Sequence, residues 1–125
     1  MLTGRDLGLL FARIRKSMRR EFELRLEDHE LTVPQVHVLG SLWEEDGKTI
    51  SQLTNHVCSD GPTLTSLLDR METKGLISRE RDSTDRRMIR IYLQERGRGL
   101  EQEVIRVGDE VMALIRRGMT EDQLD

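Results

Sequence analysis

Cysteine is all but missing from this chain. Cys58 stands alone among 125 residues, which excludes an internal disulfide framework and fits a reducing compartment. One sulfur cannot supply a cysteine-rich zinc cluster, and His29, His37 and His56 form no His-x-x-x-His pair. Neither a metal nor any other cofactor is expected. His37 reads as a semi-buried residue beside the first helix. Cys58 reads as a small semi-buried residue, since the chain holds no resolving partner for it.

Aromatic residues are few, at 3% of the chain, and the sequence patterns are nearly all helical. No apolar run approaches the roughly 20 residues of a membrane span. Arg5 and Asp6 interrupt the stretch from Met1 to Leu10, so a signal-peptide layout is missing. The expectation is a cytoplasmic protein of one globular domain with no membrane partner. Catalytic equipment is lacking too. There is no nucleophile–base pair, glycine-rich phosphate loop or carboxylate cluster at a useful spacing, so no enzymatic function is expected. Gly97 and Gly99 read as a hinge at a helix start, because no crossover unit of a parallel sheet surrounds them.

Positive charge is also short overall, with a formal net charge of −3. Its distribution matters more than its sum. Residues 61–99 hold nine Lys and Arg against six Asp and Glu, a local excess of +3 that leaves −6 for the remainder. A polyanion responds to the local field, so this segment is the candidate contact region.

What is present is mainly helical. Leu7, Phe11, Ile14, Met18, Phe22 and Leu26 recur at helical spacing and predict a long first helix with an apolar stripe. Its other faces carry Arg13, Arg15, Lys16, Arg19 and Arg20, a pattern most often explained as a solvated face. Three Thr-x-x-Gln boxes follow: Thr32 to Gln35, Thr49 to Gln52 and Thr120 to Gln123. In each, the threonine oxygen can accept an orphan N–H while the glutamine reaches back to the cap. Asp46-Gly47 is a turn signal closing the second helix. Ser59 or Asp60 caps the next one, Pro62 sits in its first turn, and Leu64, Leu67, Leu68 and Met71 form its buried face. Gly75 supplies the left-handed residue that ends it. The short link from Val57 to Pro62 forces two helices to cross steeply, which is helix-turn-helix geometry.

From Met88 to Leu93 the period becomes two, with Ile89, Ile91 and Leu93 on one face. Leu76-Ile77 opens the partner strand and Asp82-Ser83-Thr84-Asp85 is turn chemistry, so a hairpin is predicted. Then Leu100, Val104, Val107, Val111 and Leu114 follow 4-3-4-3 spacing on a helix expected to end near Gly118. That seam can pack within the domain or against a second subunit. Ile105, Met112 and Ile115 widen its apolar face and favour the second subunit. The Thr120 box opens a helix that stops at Asp125, the pattern of a final helix cut short.

This order of elements is a winged helix-turn-helix. The fold class is mainly α with a small β-hairpin wing (α+β). Its wording resembles the MarR family of transcriptional regulators over about residues 31–104. Four parts carry the likeness: Leu31-Thr32-x-x-Gln35, Ile50-Ser51-Gln52-Leu53, Pro62-Thr63-Leu64-Thr65 through Leu68-Asp69-Arg70-Met71-Glu72 to Gly75-Leu76-Ile77, and Asp82-x-x-Asp85-Arg86-Arg87 to Leu93-x-x-x-Gly97.

The resemblance implies a homodimer on a pseudo-palindromic operator of double-stranded DNA. Its recognition helices would enter major grooves about 34 Å apart. It further implies repression relieved by a small aromatic or phenolic effector. By likeness the chain divides into an N-terminal helix contributing to dimerisation (1–30), a DNA-binding lobe (31–97) and a C-terminal dimerisation helix (98–125). Pro62, Thr63, Thr65 and Ser66 would lie on the groove-facing part of the recognition helix, and Arg70, one turn on, would touch phosphate. In the wing, Asp85 would orient Arg87, or alternatively Arg86, toward backbone or minor groove. Phe11, Arg15, His37 and Trp43 are the corresponding candidates for an effector pocket.

Two positions depart from the family pattern. Gly61 stands where a basic or larger polar side chain is frequent, and Ser66 where arginine is frequent. Their loss removes guanine-reading donors worth roughly 1–3 kcal/mol each in discrimination. Two rival readings follow: a regulator-derived protein-interaction module with weak or no DNA binding, and a thiol- or metal-gated regulator.

Overall fold

The computed structural model describes residues 3–57 and 61–124, except for the side chains of 57, 61 and 119–124. The chain forms two compact units, Pro34–Gln102 and the pair of segments Met1–Val33 and Glu103–Asp125. The expected caps Ser59 and Asp60, and Cys58 with them, lie outside the described residues.

The second unit is two helices. α1 runs Gly4–Leu26 and opens on a capping box absent from the sequence reading. Thr3 Oγ1 accepts the Asp6 N–H at 3.1 Å, and Asp6 Oδ2 accepts the Thr3 N–H at 3.1 Å. Those bonds hold the Asp6 carboxyl below its usual range, the Thr3 backbone N–H contributing most. After Leu26 a single 3₁₀ turn, Glu27–His29, leads to Glu30, which takes a left-handed φ of 57°. α6 runs Glu101–Leu124 without a break at Gly118. The expected stop there is thus corrected, and Thr120 continues a helix instead of opening one. A lone glycine costs a helix only about 1 kcal/mol, too little to end one with apolar residues on either side.

The 4-3-4-3 seam is used differently from the sequence expectation. Val104, Val107 and Val111 are buried within the single chain, so they belong to the protomer's own core. The Phe22 ring lies 3.8 Å from where a Cβ on Gly108 would stand, and Arg25 Nε reaches Glu110 at 3.4 Å. Leu114 and Leu100 are half-buried. The apolar side chains left in solvent are others: Leu7, Leu9, Phe11 and Leu24 on α1, Ile105 and Met112 on α6.

The first unit holds α2 (Val33–Glu44), β1 (Lys48–Thr49), α3 (Ile50–Val57), α4 (Gly61–Thr73), β2 (Ile77–Arg81), β3 (Ile89–Leu93) and α5 (Glu95–Gly99). Its core is aliphatic: Val38, Leu39, Leu42, Leu53, Leu64, Leu68, Met71, Leu76, Ile77 and Ile91 are at most 1% exposed. Each such side chain contributes roughly 1.5–3 kcal/mol on leaving water. The sheet has three strands in the order β1-β3-β2, all antiparallel. The predicted hairpin is β2–β3, with Ile77 opposite Leu93 and Arg81 opposite Ile89. β1 is an addition, because two residues are too few to leave a period-two signature.

Thr49 ends β1 and also caps α3. Its Oγ1 accepts the Gln52 N–H at 3.2 Å, and Gln52 Oε1 accepts the Thr49 N–H at 2.9 Å. Thr32 stands just before α2, and the buried Gln35 accepts a bond from Lys74 Nζ at 3.3 Å. Lys48 is 4% exposed, its ammonium donating to Ser41 O at 2.9 Å and Ser41 Oγ at 2.8 Å. His56 Nδ1 lies 3.5 Å from the same Nζ.

Gly75 and Gly97 are among the glycines dictated by geometry. Gly75 takes φ +75° and ends α4, its N–H bonding Glu72 O while Leu76 N–H bonds Met71 O. Gly97 sits inside α5 with the Leu76 carbonyl against it, where a Cβ would fall 2.3 Å from that oxygen. Gly97 therefore serves a close approach of two backbones, a different job from the hinge expected of it.

Candidate nucleic-acid interface

α4 presents two unlike sides. Leu64, Leu68 and Met71 are buried, whereas Pro62, Thr63, Thr65, Ser66 and Arg70 are all exposed. The hydroxyl-bearing side is therefore in solvent. Ser66 Oγ accepts a bond from Arg70 Nη2 at 3.3 Å, so the guanidinium is drawn back along the helix toward its N-terminal half. The helix N-terminus adds a partial positive field on that side.

The wing is built around Asp82. Its Oδ1 accepts the Thr84 N–H at 2.7 Å and the Asp85 N–H at 3.4 Å, which closes the tip as an Asx turn. Its Oδ2 takes Arg90 Nε at 2.9 Å, and Arg90 Nη1 donates to Gly47 O at 2.8 Å. These bonds hold the Asp82 carboxyl below its usual range, the Thr84 N–H contributing most and Arg90 next. Arg81 Nη1 crosses the hairpin to Arg86 O at 2.8 Å. At the far end, Asp85 Oδ1 accepts both the Arg87 N–H at 3.1 Å and Arg87 Nε at 3.2 Å. The Arg87 side chain is nevertheless 91% exposed. Asp85 is thus bonded to Arg87 of the two candidates, and Arg86 also stands in solvent.

The nine cations of residues 61–99 divide sharply. Lys74, Arg79, Arg81, Arg90, Arg96 and Arg98 hold the lobe together: Lys74 Nζ bonds Gln35 Oε1 at 3.3 Å, and Arg96 Nη1 bonds Lys74 O and Arg98 Nη1 bonds Leu93 O, each at 2.9 Å. Arg70, Arg86 and Arg87 are the exposed remainder on α4 and the wing tip. A sequence count treats all nine alike; only the bonds distinguish them. Sequence reasoning read Asp82 as turn chemistry and missed its pairing with Arg90. The signal available was Asp82 standing eight positions before an arginine across a predicted hairpin.

The effector-pocket candidates fall in different units, Phe11 and Arg15 in one and His37 and Trp43 in the other. Phe11 is 67% exposed and Arg15 is exposed. His37 is exposed as well, which corrects its expected semi-burial: it lies on the side of α2 away from buried Val38, Leu39 and Leu42. Trp43 is half-buried, and its indole N–H donates to Gly97 O at 3.0 Å, which ties α2 to α5. Among the described residues, no three His, Cys, Asp or Glu side chains cluster as a metal site would require, and no helix is long and apolar enough to cross a membrane.

Comparison with known proteins fits this geometry. The MarR family model matches residues 31–89. The organic hydroperoxide resistance transcriptional regulator of Bacillus subtilis (strain 168) is 32% identical over 109 residues, covering 87% of this chain and 74% of that protein. The chain belongs to the MarR family.

A second MarR-type relative, the HTH-type transcriptional regulator TtmR of Methylorubrum extorquens (strain PA1), is 43% identical over 82 residues, or 66% of this chain. This chain spans 42% of that relative's length. Among solved structures, reduced AbfR bound to DNA matches with a TM-score of 0.73 and 27% identity, over 85% of this chain and 74% of that one. The MarR fold of the chain, mostly helical with a small three-stranded antiparallel sheet, is the winged helix. Its named relatives are regulators, not enzymes.

Proposed function

We propose that this MarR-family chain is a sequence-specific regulator of transcription that binds double-stranded DNA as a homodimer on a pseudo-palindromic operator. One observation carries the reading: the exposed hydroxyl side of α4 and the Asp85-bonded, solvent-projecting Arg87 belong to one unit. Thr63, Thr65, Ser66 and Pro62 supply the groove-reading surface, Arg70 a phosphate or base-edge contact, and Arg86 with Arg87 the backbone or minor-groove contact. The DNA-bound AbfR neighbour supports the same assignment.

Homodimerisation is supported by the apolar side chains that one protomer leaves in solvent. Phe11, Leu7 and Leu9 are 67%, 60% and 59% exposed, and Leu24, Ile105 and Met112 join them from the same unit. Surface of that kind is typical of an interface. Repression with release by a small aromatic effector completes the proposal, with the partly exposed Trp43 ring as a natural reporter of binding.

Fluorescence anisotropy with the promoter DNA flanking its own gene tests the core of the proposal. Saturable binding that weakens steeply as salt rises is expected. Arg86→Ala with Arg87→Ala should weaken binding across all sequences and lower the salt slope by about 2, near one per phosphate contact. Binding unchanged by that pair removes the wing from the interface.

A further inference from the structure

The acidic side chains of α4 pose a problem for a helix that meets DNA. Asp69 and Glu72 are both exposed on it, beside Ser66 and Arg70. Two carboxylates facing a polyanion oppose binding unless something engages them. Arg79 does so from the neighbouring strand. Its Nη2 lies 2.6 Å from Asp69 Oδ1 and 3.0 Å from Glu72 Oε1, so one guanidinium nitrogen bridges both carboxylates. Its main-chain N–H also donates to Glu72 Oε2 at 3.1 Å. β2 is an edge strand of the sheet, paired only with β3. Glu72 therefore satisfies an edge donor with one oxygen and the arginine head with the other. The mutual hold lowers the Glu72 pKa, chiefly through the Arg79 side chain, and raises that of Arg79.

We propose that Arg79, Glu72 and Asp69 form a positioning clamp that joins the recognition helix to the root of the wing. The clamp lets both contact elements reach one duplex as a single body, without itself touching DNA. β2 leads directly into the wing at Arg81-Asp82, so an angle fixed at Arg79 is inherited by Arg86 and Arg87. The inference rests on the DNA-binding reading above and adds to it that two anions of the lobe are required for affinity.

That requirement gives a test whose sign is opposite to simple electrostatics. Glu72→Ala removes a negative charge and should tighten DNA binding if only net charge matters. The clamp predicts the reverse: binding to the promoter DNA about five- to tenfold weaker, near the worth of a screened ion pair with its backbone bond. Glu72→Gln has the same charge as Glu72→Ala but keeps an acceptor for the Arg79 N–H, so it should recover part of the loss. Arg79→Gln should weaken binding by a similar factor while leaving the salt slope unchanged; a phosphate contact would lower that slope by about 1. Binding by Glu72→Ala as tight as or tighter than the parent, or a lowered slope for Arg79→Gln, overturns the clamp. Hydrogen exchange at the Arg79 amide, measured without DNA, reads the clamp separately from the function. It should quicken in Glu72→Ala, and an unaltered rate also overturns the clamp. If the parent chain binds no DNA, the functional reading falls and the clamp stands or falls on the exchange rate alone.

Discussion

Single residues in this lobe are constrained by backbone approach as much as by contact chemistry. Gly97 is the sharpest case. A methyl group there meets a main-chain carbonyl at 2.3 Å, and that oxygen is already taken by the Gln94 N–H at 2.9 Å. Gly97→Ala should therefore cost about 3 kcal/mol, the upper end for overpacking, read from the urea midpoint. The hydroxyl positions should behave otherwise. Thr63→Val and Thr65→Val keep the shape and remove one donor–acceptor each from an exposed face. Preference should change at particular base pairs in a binding-site selection. At this scale the sequence was legible for types and opaque for partners. Gly75 ending α4 followed from composition and position. That Trp43 donates to Gly97, or that Lys48 is buried on Ser41, follows from tertiary approach, which no local pattern encodes.

Among the elements, the wing is the one whose form depends on a single carboxylate. Asp82 gathers two tip amides and the Arg90 guanidinium, so its charge and its geometry can be separated by substitution. Asp82→Asn retains an acceptor for the Thr84 N–H and loses the ion pair; Asp82→Ala loses both. Binding and wing protection should fall in that order. Because its native pKa is lowered, Asp82 adds stability above the usual carboxylate range, about pH 4, and that contribution fades as pH drops through it toward the native value. The urea midpoints of the parent and Asp82→Asn should differ at pH 7 and converge in acid. Element types were readable because helices and the β2–β3 hairpin carry periods of 3.6 and 2. Two elements escaped. β1 is two residues long, and the stop expected at Gly118 weighed one glycine above the apolar spacing on either side of it.

For the whole molecule, the question is where its exposed apolar surface goes. The heptad-like seam of α6 is buried within one protomer at Val104, Val107 and Val111, while Leu100 and Leu114 at its ends are half-buried. Periodicity marks a buried stripe without naming what buries it. Phe11, Leu7 and Ile105 are better placed for an intersubunit contact, being largely in solvent in one chain. Phe11→Glu should leave the fold of a protomer nearly untouched, within about 0.5 kcal/mol. It should also shift sedimentation from dimer toward monomer and abolish the rise of the thermal midpoint with protein concentration.

A last consequence comes from the third strand. A ribbon of two strands hanging from a helix could roll about its long axis; β1, paired with Arg90 and Ile91 in the middle of β3, opposes that freedom, and Arg90 on the Gly47 carbonyl pins the same place. Residues 82–88, with Arg86 and Arg87 among them, are the part of the wing that projects beyond the paired strands.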